Sequence, residues 1–323
     1  MREIKALISW ILVLALGIWA SPQYALRFEG QMESALRSDV ITDMLHDLTT
    51  SLSKVDSQDS TLRIWGQTVS SIQGNNEDGF SIRKDAYWAA FFHSVPADPR
   101  VLWSRAALLG SQGLWQRASY VMTFAHLQSK VIVDSNLEKT INDIQERMDL
   151  LAFRSNEHVE NGLILLDSGN VERARDQYQV ALAMYPKNPW ATYELGATYL
   201  LDGLSKMRDS VAYLQTPSQQ YFAKVRTYDP WYGVAYQGSK GLTQNATVVS
   251  EQIQPNWDRI KIGKGDADYY QQFAMGCELI GEYEFALYGY ALALQEKLDA
   301  ERMADIRTHM KQCLQQLGVT IKI

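Results

Sequence analysis

Three stretches of this chain repeat one spacing of small and bulky residues, and that spacing leaves little choice of fold. In "GNVERARDQYQVALAMYP", Gly169, Ala174, Tyr178 and Ala181 stand at steps of five, four and three, and Pro186 follows five later. Gly113, Ala118, Met122 and Ala125 repeat those steps, as do Gly281, Ala286, Tyr290 and Ala293. At 3.6 residues per turn, steps of four and three return to one face of a helix. Two alanines on that face let a neighbouring backbone come close, and the larger residue between them fills the groove. The glycine takes the left-handed turn that ends a helix. The proline forbids continuation. Upstream, "HVENGLILLDSG" supplies a preceding helix with apolar Val159, Leu163 and Leu166 and a small Gly162. The unit is helix, short turn, close-packed helix, stop.

The pattern resembles the tetratricopeptide repeat, which has an early Leu-Gly-x-x-Tyr, a later Ala-x-x-x-Phe and a closing proline. Leu195, Gly196 and Tyr199 match the early part in the next unit. Weaker copies surround these. Phe222 is a groove filler before Pro230, and Trp65-Gly66 with Phe91 and Pro99 form a degenerate unit. Leu36, Val40, Met44, Leu48, Leu52 and Val55 form a stripe at helical spacing. Ser135 and Glu138 read as a capping box. Residues 240–266 break the period and read as a long loop with at most a short helix. Asp299 to Leu317 reads as a polar-faced closing helix, which a repeat array needs at its end. No segment alternates like a strand. The fold class implied by the resemblance is all-α, a right-handed superhelical array of helix-turn-helix units with irregular insertions and a C-terminal capping helix. The expected divisions are a leader or anchor over 1–26, degenerate helical repeats over 27–154, and repeats with their cap over 155–323.

The N-terminus reads differently. Arg2 and Lys5 precede an apolar run from Ala6 to Ala20. A basic flank followed by an apolar run is an export signal. The run is shorter than the roughly 20 residues of a spanning helix, yet no persuasive cleavage site follows it. Besides a buried soluble helix, both an uncleaved anchor and a cleaved signal remain open. Either places the body outside the cytoplasm, at a bacterial inner membrane or free in the periplasm. With a net charge of −6, that body is ill suited to nucleic acid.

Motifs for chemistry are missing. The five histidines show no metal-ligand spacing, and neither a phosphate-binding loop nor a nucleophile elbow occurs. No cofactor, metal or catalytic residue is expected. Cys277 and Cys313 lie where an exported chain could pair them or simply bury them. In the tetratricopeptide family, partner peptides lie in a concave groove lined by the first helices of each unit. Carried over, the groove would be lined by Asn156, Val159, Leu163 and Asp167 from one unit, and by Trp190, Tyr193, Ala197 and Leu200 from the next. Val159 and Leu163 occupy positions where a clamp for C-terminal carboxylates would carry basic and amide residues, which argues against tail binding of that kind. The resulting expectation is a non-catalytic, membrane-tethered or exported scaffold for protein partners of an envelope complex. The alternative is an extracytoplasmic module that binds a glycan, peptidoglycan or peptide through aromatic side chains.

Overall fold

A computed structural model describes residues 22–53, 65, 77–93, 98–132, 134–206, 217–232 and 243–321. All regular structure among them is helical, and the helices pack in adjacent antiparallel-type pairs as in a tetratricopeptide-like repeat array. The long α1 (Pro22–Ser53) is followed by α2 (Glu77–His93), α3 (Pro99–Ser111), α4 (Trp115–Ser129) and α5 (Ser135–Phe153). Next come α6 (Asn156–Asp167), α7 (Val171–Met184), α8 (Pro189–Lys206) and α9 (Pro217–Tyr228). The last elements are α10 (Thr243–Val248), a π-helical turn (Val249–Ile253), α11 (Gln254–Ile260), α12 (Ala267–Leu279), α13 (Tyr283–Ala293) and α14 (Ala300–Gln316). Among the described residues no helix is long and apolar enough to cross a membrane, and the apolar run 6–20 lies outside them.

The repeated spacing does what its geometry requires. Gly113, Gly169 and Gly281 have φ of 74°, 80° and 86°. In each case the glycine N–H donates to the carbonyl three residues back, and the next N–H donates to the carbonyl five back. These bonds satisfy carbonyls that a helix end would otherwise leave open. The alanines of all three units are fully buried, as are Met122, Tyr178 and Tyr290 between them. Gly162 is the complementary gap on α6: a methyl there would meet Tyr178 Cε1 at 2.3 Å. Gly196 plays the same part on α8, against Tyr221 Cβ at 2.8 Å.

Two corrections concern local structure. The cap of α5 is Asp134, whose carboxylate accepts from the N–H groups of Asn136 and Leu137, so Ser135 is already helical. A carboxylate at this position both caps and complements the helix dipole. The stretch 243–260 is helix rather than loop, with a π-helical turn in its middle. Val249, Ile253, Trp257 and Ile260, at steps of four, four and three, all face inward. In the described part of the α1 stripe, Met44 and Leu48 are fully buried, while Leu36 is exposed.

Two cores result. A small one joins α6, α7 and α8 through Val159, Ala174, Tyr178, Ala181, Ala191 and Leu195. The large one joins α1 to α5 with α11 to α14. The last repeat therefore packs back onto the first in sequence. Tyr288 of α13 meets Tyr87, Trp88, Phe91 and Phe124, and its hydroxyl pairs with that of Tyr87 at 2.7 Å. Arg105 of α3 grips Glu284 of α13 through Nε and Nη2, at 2.7 and 2.8 Å. Trp231, just after α9, stacks on Tyr120 of α4 at 4.4 Å and touches Trp257, Phe273 and Phe285. That indole pins the end of the α8–α9 pair against α4, and the join creates a cleft.

Candidate functional site

The cleft is a cavity of about 500 Å³ where α4, α5, the start of α6, the start of α8, the turn 229–232 and α11 converge. That size is within the roughly 300–1,000 Å³ usual for binding pockets. Its wall from α4 carries Gln116, Ser119, Tyr120 and Thr123, at helical steps. From α5 come Gln145, Asp149 and Phe153, again at steps of four. Asn156, Trp190, Asp229, Tyr232, Trp257, Lys261 and Ile262 complete most of the rest.

The polar groups are braced from behind. Asn188 caps α8: its Oδ1 accepts from Ala191 N–H at 2.9 Å. Its Nδ2 donates to Ser155 Oγ at 2.7 Å and to Asn156 Oδ1 at 2.9 Å. Ser119 donates a short hydrogen bond to Asp149 Oδ1, and Gln145 donates to Thr123 Oγ1 at 3.0 Å. Asp229 Oδ2 accepts from the Tyr120 hydroxyl at 3.1 Å, and Oδ1 from Trp231 N–H at 3.2 Å. The indole N–H of Trp190 is held by Glu194 Oε1 at 3.1 Å, one turn further along α8.

Burial pushes the Asp229 carboxyl up to about 6, against the opposing effects of Trp231 N–H, the Tyr120 hydroxyl and Arg117. Asp149 is also raised by burial, which its Ser119 bond only partly offsets. Glu194 is raised the same way, with the Trp190 indole working against it. Arg117 does not neutralise Asp229 because it is committed elsewhere. Its guanidinium holds Glu282 at 2.7 and 3.1 Å and the Thr227 carbonyl at 2.8 Å.

Of the eight residues expected to line a partner groove, Asn156 and Trp190 lie together in this cavity. Val159 does not face any groove: it has no exposed surface and belongs to the small core, because Gly162 and Tyr178 draw that face of α6 onto α7. Tyr193 sits behind the wall, stacked on Phe222 at 5.1 Å and against Tyr232 at 5.6 Å, so it positions Tyr232. Leu163, Ala197 and Leu200 are half-buried and Asp167 is exposed, none of them in the cavity. Asp149, Gln145, Asp229 and Tyr232 belong to the site although no motif marks them. Their only signal is the step of four on α5 and the "YDPWY" that also stops α9.

A larger cavity of about 650 Å³ lies between α1, α3 and the end of α7 and contains none of the expected groove residues. Arg37 of α1 borders it, donating to the Met184 carbonyl and lying over the Tyr185 ring at 5.0 Å. Among the described residues no group of three His, Cys, Asp or Glu could hold a metal ion. Both cysteines are free and buried.

Residues 162–203 match the family model described as a TPR repeat. The match covers the second half of α6, all of α7 and most of α8, the elements that build the small core. No curated protein and no solved structure matches the chain. A TPR repeat is in general a protein-interaction scaffold, and here its α8 carries Trp190 into the wall of the cavity.

Proposed function

We propose that this protein is a non-catalytic TPR scaffold that docks a protein partner at the Trp190 cavity. The observation that carries the reading is the position of that cavity. It opens where the matched repeat meets α4, α5 and α11, and it sets an indole and braced polar groups in one concave site. Large aromatics beside a few fixed polar groups are the residues that most often anchor a partner. The body is tethered to, or exported across, a bacterial inner membrane by the basic-flanked run 6–20, and its partners belong to an envelope complex. Sequencing the N-terminus of the mature protein separates the tether from a cleaved signal.

The test is co-purification of the full chain from membranes, wild type against Trp190→Ala. The reading expects a partner retained by the wild type and lost by the variant while both remain folded. No partner with either form counts against it. The second reading, a glycan-binding module, is favoured by the same indole, since an aromatic face beside carboxyl and amide groups also suits a sugar. Retention on isolated wall polymer, abolished by Trp190→Ala, would replace the first reading with this one.

A further inference from the structure

We propose that the Trp190 cavity receives the cationic side chain, lysine or arginine, of a partner protein segment, with Asp149 and Asp229 as its counter-charges and the indole against its stem. This rests on the scaffold reading and names the chemistry of the partner.

Charge is the first argument. Among the described lining residues the ionisable acids are Asp149 and Asp229 and the base is Lys261. Lys261 is already engaged, its Nζ donating to Asp258 Oδ1 at 2.6 Å. Neither acid has an ion-pair partner among the described residues. Each accepts neutral donors, and a carboxylate with two oxygens has lone pairs to spare. Carboxyls buried without a cation are costly, and a cation that enters recovers that cost. The nearby charges leave the deficit in place. Around Asp229 they are Arg117, spent on Glu282, with Glu282 itself and the hydroxyls of Tyr120 and Tyr232. Around Asp149 they are Glu146, one turn back, and Lys261 across the cavity.

Shape is the second argument. Trp190 and Tyr232 are aromatic residues of the lining, and a cation over the face of an aromatic ring is attracted by the ring quadrupole. The rim is apolar: Phe153 is 47 % exposed and Ile262 57 % exposed, and both border the cavity. An acidic floor under an apolar rim fits a basic residue flanked by apolar ones. An acidic tail would meet like charge.

The experiment uses the full chain in detergent and acetyl-Leu-Lys-Leu-amide as probe, beside the same peptide with Nε-acetyl-lysine. Calorimetry at about pH 7.5 is expected to show the charged peptide bound roughly tenfold more tightly, the scale of one desolvated cation contact. At about pH 5 that advantage should shrink severalfold as Asp229, raised to about 6, gains its proton. The neutral peptide should show no such change. Asp149→Asn, which keeps the Ser119 hydrogen bond, should remove most of the advantage. Should that variant fail to fold, the two-peptide comparison on the wild type decides alone. Equal binding of both peptides, or binding of neither, overturns the proposal. So does chitotetraose binding where the lysine peptide does not. A partner that still co-purifies in a Trp190-dependent way while the peptides fail would leave the scaffold reading standing and sink only the cation.

Discussion

Gly162→Ala tests the close approach of α6 and α7, on which the repeat geometry depends. The added methyl would lie 2.3 Å from Tyr178 Cε1, 2.8 Å from Cδ1 and 3.0 Å from Cζ. Carbon atoms rest at roughly 3.5–4.0 Å, so the ring edge must retreat by about 1 Å or more. It has nowhere to go, because Tyr178 is fully buried among Ala174, Ala181, Ala191 and Leu195. Overpacking of this kind costs about 1–3 kcal/mol. Alanine recovers up to about 1 kcal/mol as the better helix former. A net loss of about 1–2 kcal/mol is expected in urea unfolding followed by far-ultraviolet circular dichroism. The ring is the cause, so Tyr178→Leu should make the methyl harmless. The double-mutant cycle should then show coupling of about 1 kcal/mol or more. A variant as stable as the wild type, or a cycle that is simply additive, refutes the packing argument.

Glu284→Gln should cost about 3–5 kcal/mol at neutral pH, because it removes the carboxylate that the largely buried Arg105 grips. Burial alone would raise the Glu284 carboxyl, but the charge and hydrogen bond of Arg105, with the Tyr288 hydroxyl and Arg117, together outweigh it and hold the folded value below the ordinary glutamate range. The stabilisation is therefore present above that range and lost as pH falls through the folded value, so the gap between wild type and variant should close on acidification. A gap independent of pH contradicts this. Burial also raises both thiols, Cys313 to about 12. A thiol reagent should find neither in the native protein and both after unfolding under non-reducing conditions; an unfolded chain with no reactive thiol would mean a disulfide instead.

The repeat was legible because its evidence is local. Gly169, Ala174, Tyr178 and Ala181 need only helical periodicity and one left-handed turn to declare their roles, and the three copies behave alike. Where local signals compete, a reading along the chain goes astray. Asp134 and Ser135 are both capping residues, and only the hydrogen bonds show that Asp134 holds the position. Residues 243–260 hide their helix because Pro255, which reads as a stop along the chain, falls in mid-course. Val159 falls on the expected groove face by family position, but one turn on, Gly162 brings α7 so close that Val159 becomes core.

The candidate site shows the division most clearly. Trp190 and Asn156 could be named from their place in a repeat. Their companions could not: Asp149 precedes the matched repeat, Asp229 follows it, and Lys261 caps the end of a helix the pattern missed. Sequence alone determined the helices of the repeats, their turns and the small gaps between paired neighbours, because those depend on residues a few positions apart. Only tertiary structure decided that the last repeat folds back on the first and that Trp231 joins α4 to the last repeat. Contacts between aromatic faces from distant segments carry no periodic signature, and the enclosed acids owe their shifted protonation to that enclosure.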